Sequence, residues 1–108
     1  MIRLATFSAL FIACTGGATA TGVDTSTLTC PPDSTLRYED FGQILIADNC
    51  ISCHNGKESP RLGTVEEVRA ASSRIMEAAV ATTAMPDGTD MDLAERELLG
   101  EWLACGAP

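Results

Sequence analysis

Cys50-Ile51-Ser52-Cys53-His54 is the stretch on which the reading of this chain turns. Two thiols three residues apart share one helical turn, and a histidine follows the second directly. That order, C-x-x-C-H, is the attachment signature of a c-type haem: the thiols form thioethers to the two vinyl groups, and the histidine offers an imidazole nitrogen to the iron. Two other chemistries use paired cysteines. A zinc site wants a second ligand pair at comparable spacing, and His54 is the only histidine. A thioredoxin-like redox pair belongs beside a βαβ pattern, and nothing strand-like precedes Cys50. The flanking sequence favours haem.

Upstream, residues 38–49 carry a helical pattern: Tyr38, Phe41 and Leu45 recur at i, i+3 and i+7, and Ile44 broadens the stripe. Gly42 interrupts it mid-helix, where glycine costs about 1 kcal/mol against alanine, so a packing reason is expected there. Downstream, Asn55-Gly56-Lys57-Glu58-Ser59 reads as a turn, followed by Pro60-Arg61-Leu62-Gly63. Thr64-Val65-Glu66-Glu67 is a capping box that opens a second helix, with Val68, Ala71, Ile75 and Ala79 on its apolar face to about Ala81. Arg69 and Arg74 lie off that face as solvated charges, one of them within reach of a haem propionate. Asp92-Leu93-Ala94-Glu95 is a second capping box, and Leu99, Trp102 and Leu103 form the stripe of the last helix. Gly106 is a natural C′ residue.

These motifs, in this order, resemble a class I monohaem c-type cytochrome over about Tyr38 to Ala104. The resemblance implies an all-α, cytochrome c-like fold: three main helices around one covalent haem c. Gly42 and Ile46, eight and four residues before Cys50, match the positions where the family's first helix crosses its last. Leu99, Trp102 and Leu103 match the opposing leucine–aromatic–leucine face. In the family, a proline carbonyl after the motif accepts a hydrogen bond from the proximal histidine and a leucine packs on the porphyrin; Pro60 and Leu62 take those places. The distal ligand is a methionine before a proline in the loop between helices, which is Met85 of Met85-Pro86, with Met91 in reserve. Met76 reads as core or surface. The cofactor residues implied are then Cys50, Cys53, His54, Met85, Pro60 and Leu62, with His54 and Met85 on the iron. A His/Met pair fills both axial positions, as electron carriage without substrate binding requires.

The N-terminus reads as an export signal. Arg3 precedes an apolar run from Leu4 to Ala13, too short to span a bilayer. Leu10-Phe11-Ile12-Ala13-Cys14 resembles a bacterial lipobox, with Phe11 where the family usually has leucine. The expected division is a lipoprotein-type signal at 1–13, a flexible Thr/Gly/Ala/Ser-rich tether at 14–29 and the folded domain at 30–108. The alternative is cleavage at Ala18-Thr19-Ala20, which discards Cys14. Either route exports the chain, to the bacterial periplasm or cell envelope, with a lipid anchor if Cys14 is lipidated.

With 108 residues the chain makes one small domain, and 45% hydrophobic residues, part of them in the signal, leave little for a large core. A buried haem would supply that core. Fifteen acids against seven bases give a formal charge of −8. Nucleic acid and anionic lipid headgroups are excluded as partners by that sign; redox proteins with a basic docking surface fit it. Cys30 and Cys105 are left over once haem and lipid have taken theirs, and in an oxidising compartment they are expected to pair. The pair would close a loop of about 75 residues, worth roughly 4.5 kcal/mol in the chain-entropy model. The expected role is one-electron transfer, not catalysis. Two rivals stay open: a five-coordinate haem sensor or peroxidase-like enzyme, and a haem-free CxxC thiol-redox lipoprotein.

Overall fold

A computed structural model describes residues 22–86 and 91–108, and at Ser52 the backbone only. The signal at 1–13, Cys14, the first part of the tether and Asp87-Gly88 of the Met-Pro loop lie outside the described residues. All regular structure among the described residues is helical, as the all-α expectation requires. No helix among them is long and apolar enough to cross a membrane.

The first helical run opens as a π-turn at Tyr38–Gly42, continues as α1 (Gln43–Asn49) and passes through Cys50 into α2 (Ile51–His54). Leu45 and Ile46 are buried. Ile44 is 55% exposed, contrary to the stripe expected from the sequence. It lies about 100° round the helix axis from Leu45, which turns it off the buried face. The second run comprises α3 (Val65–Ala70), α4 (Ser72–Ile75) and a π-turn at Met76–Val80. It breaks at Ala71, just before the poor helix formers Ser72 and Ser73. Its expected face holds: Val68, Ala71, Ile75 and Ala79 are all buried.

The caps fall where the sequence places them. Thr64 Oγ1 accepts from the Glu67 N–H at 3.2 Å, and Asp92 Oδ1 accepts from the Glu95 N–H at 2.8 Å at the start of α5 (Leu93–Ala104). Glu67 pairs with Arg61 across 3.7 Å. Gly106 ends α5 at φ +87°, its N–H bonded to the Leu103 carbonyl and that of Ala107 to the Trp102 carbonyl. This doubly bonded C-terminus is a Schellman motif, and its positive φ is one that glycine adopts without a Cβ penalty.

α5 crosses the first run at Trp102, which is fully buried. Tyr38 stacks on it at 6.4 Å between ring centroids and Phe41 meets it edge-on at 6.1 Å. A Cβ at Gly42 would collide with the Trp102 six-membered ring, which is the packing reason for glycine in that helix. The chain beyond α5 returns over this crossing: the Pro108 carbonyl accepts from the Tyr38 N–H at 2.6 Å and from Trp102 Nε1 at 3.2 Å. Arg69, exposed as expected, also donates from Nε to the Ala107 carbonyl at 3.0 Å and so ties the second run to the C-terminal segment.

Cys30 and Cys105 lie at disulfide distance, Cα to Cα 4.7 Å, as expected. The described part of the expected tether is laid against the fold. The Gly22 and Val23 N–H groups donate to the Ala81 and Val80 carbonyls at 3.1 and 2.8 Å, and Val23 packs on the core. Ser26 donates through Oγ and N–H to Asp24, which holds that exposed carboxyl below its usual range. The folded part therefore starts earlier than Cys30: the backbone donors of Gly22 and Val23 find carbonyls at the end of the second helical run, where helical donors run out.

Candidate functional site

α2 sets the thiols and the histidine by local geometry. The Cys53 and His54 N–H groups both donate to the Cys50 carbonyl, at 3.2 and 3.0 Å, closing one turn that places the three side chains along a single wall. The chain then doubles back through the 55–59 turn. The Leu62 N–H donates to the His54 carbonyl at 2.8 Å, and Leu62 is buried.

His54 is 8% exposed, and its Nδ1 lies 2.8 Å from the Pro60 carbonyl oxygen. A carbonyl can only accept, so Nδ1 carries the proton in this bond. In the neutral ring, Nε2 then holds the lone pair and is the nitrogen available to a metal. Pro60 and Leu62 thus stand where the sequence reading puts them.

Cys50, Cys53, His54, Pro60, Leu62 and Met85 line one largely apolar cavity of about 610 Å³. Its other walls come from the second helical run, including Ile75 and Ala79, with Arg74 and Glu77 at its exposed side. Met85 reaches it from the loop after that run. Met91 is buried in the core and does not line the cavity, so of the two methionines considered from sequence the fold brings Met85 to His54. Met76 packs against the core.

Cys50 is free, and burial pushes its thiol up to about 11 from an ordinary 9.0. The two cysteines of the motif are therefore not bonded to each other.

Haem fits this site on three grounds. The cavity has the size of a cofactor pocket, whose usual range is about 300–1,000 Å³, and its walls are apolar. Its donors are soft sulfur and imidazole. Its histidine gives Nδ1–H to the Pro60 carbonyl, which leaves the lone pair on Nε2.

The Met85 wall holds a residue that the sequence does not advertise. Arg96, 4% exposed, donates from Nη1 to the carbonyls of Ala79 at 2.7 Å, Thr82 at 3.3 Å and Met85 at 2.6 Å. Between Glu95 and Glu97 it reads as a solvated charge. The available signal is its register, three and seven residues before Leu99 and Leu103, which puts it on the buried stripe.

Comparison with known protein families, curated proteins and solved structures finds no match to this chain.

Proposed function

We propose that this chain is a one-electron carrier that holds a single c-type haem covalently, with His54 and Met85 as the two axial iron ligands. The observation that carries the reading is the buried His54, its Nδ1 given to the Pro60 carbonyl, on the wall of a cavity that also receives Cys50, Cys53 and Met85. When bound, the haem iron supplies the reversible ferric/ferrous couple.

The protein's own residues do the rest. Cys50 and Cys53 would hold the porphyrin edge through thioethers, which keeps a small domain from losing its cofactor. The Pro60 carbonyl orients the imidazole and makes Nε2 more basic. Met85, soft and weakly donating, would favour the reduced metal and, with His54, would leave no position open to substrate. Leu62, Ile75 and Ala79 exclude water, so that little solvent has to reorganise with each electron. Arg74, exposed beside the cavity, is placed to meet an anionic propionate.

The same reading places the protein outside the cytoplasm of a bacterium, where c-type haem is attached. Cys14 would serve as its lipid anchor, and a basic redox protein as its partner, matched to the net charge of −8. The thiol-redox rival is disfavoured by Cys50, whose raised pKa leaves little thiolate at neutral pH. The sensor or peroxidase rival needs an open iron position, and Met85 stands at the cavity.

The test is the absorption spectrum of the mature protein, oxidised and reduced, made in cells competent for haem attachment. A covalent low-spin haem that turns high-spin in Met85→Ala is expected. A high-spin wild type would favour the sensor or enzyme, and protein without covalent haem would end the proposal.

A further inference from the structure

We propose that Arg96 is the positioning residue that keeps Met85 at the cavity as a ligand, by clamping the backbone of the segment from Ala79 to Met85; this rests on the haem reading above. Both main-chain groups of Met85 are engaged. Its N–H donates to the Ala78 carbonyl at 2.9 Å, and its carbonyl takes the shortest of the three bonds from Arg96 Nη1, at 2.6 Å. The other two run to Ala79 and Thr82, so one buried nitrogen joins the end of the second helical run to the methionine that follows it. Nη1 has two hydrogens for three acceptors, which makes the longest bond, to Thr82 at 3.3 Å, the shared one.

The placement is not explained by α5 itself. Arg96 stands in the first turn of that helix, the end where a cation is disfavoured by the macrodipole. Its carbonyl partners lie at the C-terminal end of the second run, where helical donors are missing and a cation is welcome. The rigid, planar guanidinium fixes the direction of the one nitrogen on which the three carbonyls converge; an ammonium on a flexible four-carbon stem is held there less firmly. Thr82 completes the fold-back: its hydroxyl donates to the Ala78 carbonyl at 3.1 Å and accepts from the Ala84 N–H at 3.2 Å. Held through its N–H on one side of Cα and its carbonyl on the other, Met85 has its backbone fixed at the cavity wall.

The experiment compares haem-loaded wild type with Arg96→Lys and, as a milder loosening of the same segment, Thr82→Val. Two quantities are read: imidazole affinity, where imidazole competes for the position Met85 would fill, and amide hydrogen exchange at Met85 and at Leu62. The Leu62 N–H, bonded to the His54 carbonyl, is the internal control on the opposite wall. In Arg96→Lys we expect imidazole to bind at least tenfold more tightly, since a ligand that leaves more readily is displaced more readily. The Met85 amide should exchange at least tenfold faster while Leu62 is unchanged, and Thr82→Val should shift both readouts in the same sense by less. Equal acceleration at Met85 and Leu62 would reduce Arg96 to a general stabiliser and overturn the inference, as would an unchanged imidazole affinity. A wild type without haem would overturn the functional reading and this inference together, which is a distinct result.

Discussion

The two walls of the cavity are built in opposite ways. The His54 wall is local: Cys50 to Leu62 supply the thiols, the imidazole, its hydrogen-bond acceptor and the apolar residue behind it within thirteen residues. The Met85 wall is assembled from distance. Its backbone is held by Ala78 on one side and by Arg96, from a different helix, on the other. A wall made by short-range geometry should tolerate changes in the global fold. A wall made by helices meeting should follow the stability of that meeting.

The strongest way to separate them is to cut Cys30–Cys105. This link ties the end of α5 to the segment before the first helix and closes a 75-residue separation. Cys30→Ser with Cys105→Ser should cost about 2–5 kcal/mol in denaturant unfolding. The loss should appear first as faster amide exchange on the Met85 wall. Equal protection on both walls would show that the cavity opens as one unit.

A second effect concerns the state of the local wall before any haem is attached. Burial holds the Cys50 thiol to about 11. At pH 8 its thiolate should be roughly a hundredfold scarcer than that of an ordinary thiol, and alkylation correspondingly slow, measured by mass spectrometry on haem-free chain. The sign follows from the proton. Between pH 9 and 11 the folded chain keeps a proton that the unfolded chain has lost, so stability falls as pH rises through that window. Cys50→Ser should flatten that slope. Fast alkylation at pH 8 would mean that the thiol is not buried in solution.

The crossing of α5 over the first helix can be strained directly. Gly42→Val puts side-chain atoms into the Trp102 ring, an overpacking that costs about 1–3 kcal/mol in a thermal or denaturant melt. A stability equal to wild type would mean that Trp102 has room to move.

Legibility in the sequence follows the same division. Helix starts at Thr64 and Asp92 and the stop at Gly106 could be read because caps and stops are settled within a few residues. Gly42 asked for a packing reason, and the resemblance to class I cytochromes c implied the crossing with Trp102; the Cys30–Cys105 pair could be read because two spare cysteines serve few structural purposes. Arg96 could not, since a charge among glutamates looks solvated until the helix face beneath it is known. Ile44 failed for the complementary reason: it is apolar, but one position round the helix from the face that meets α5.

By itself the sequence determined the helical class and the register of the C-x-x-C-H turn with its histidine. These depend on hydrogen bonds and side-chain spacing over a handful of residues, which the chain writes in order. Tertiary structure alone decided that Gly22 and Val23 bond to the end of the second helical run and that a buried arginine grips the Met85 segment. Those outcomes turn on which backbone carbonyls are left without donors once distant helices have packed. The Met85-Pro86 pair and the register of Arg96 mark the residues in the chain, but not the carbonyls that they meet.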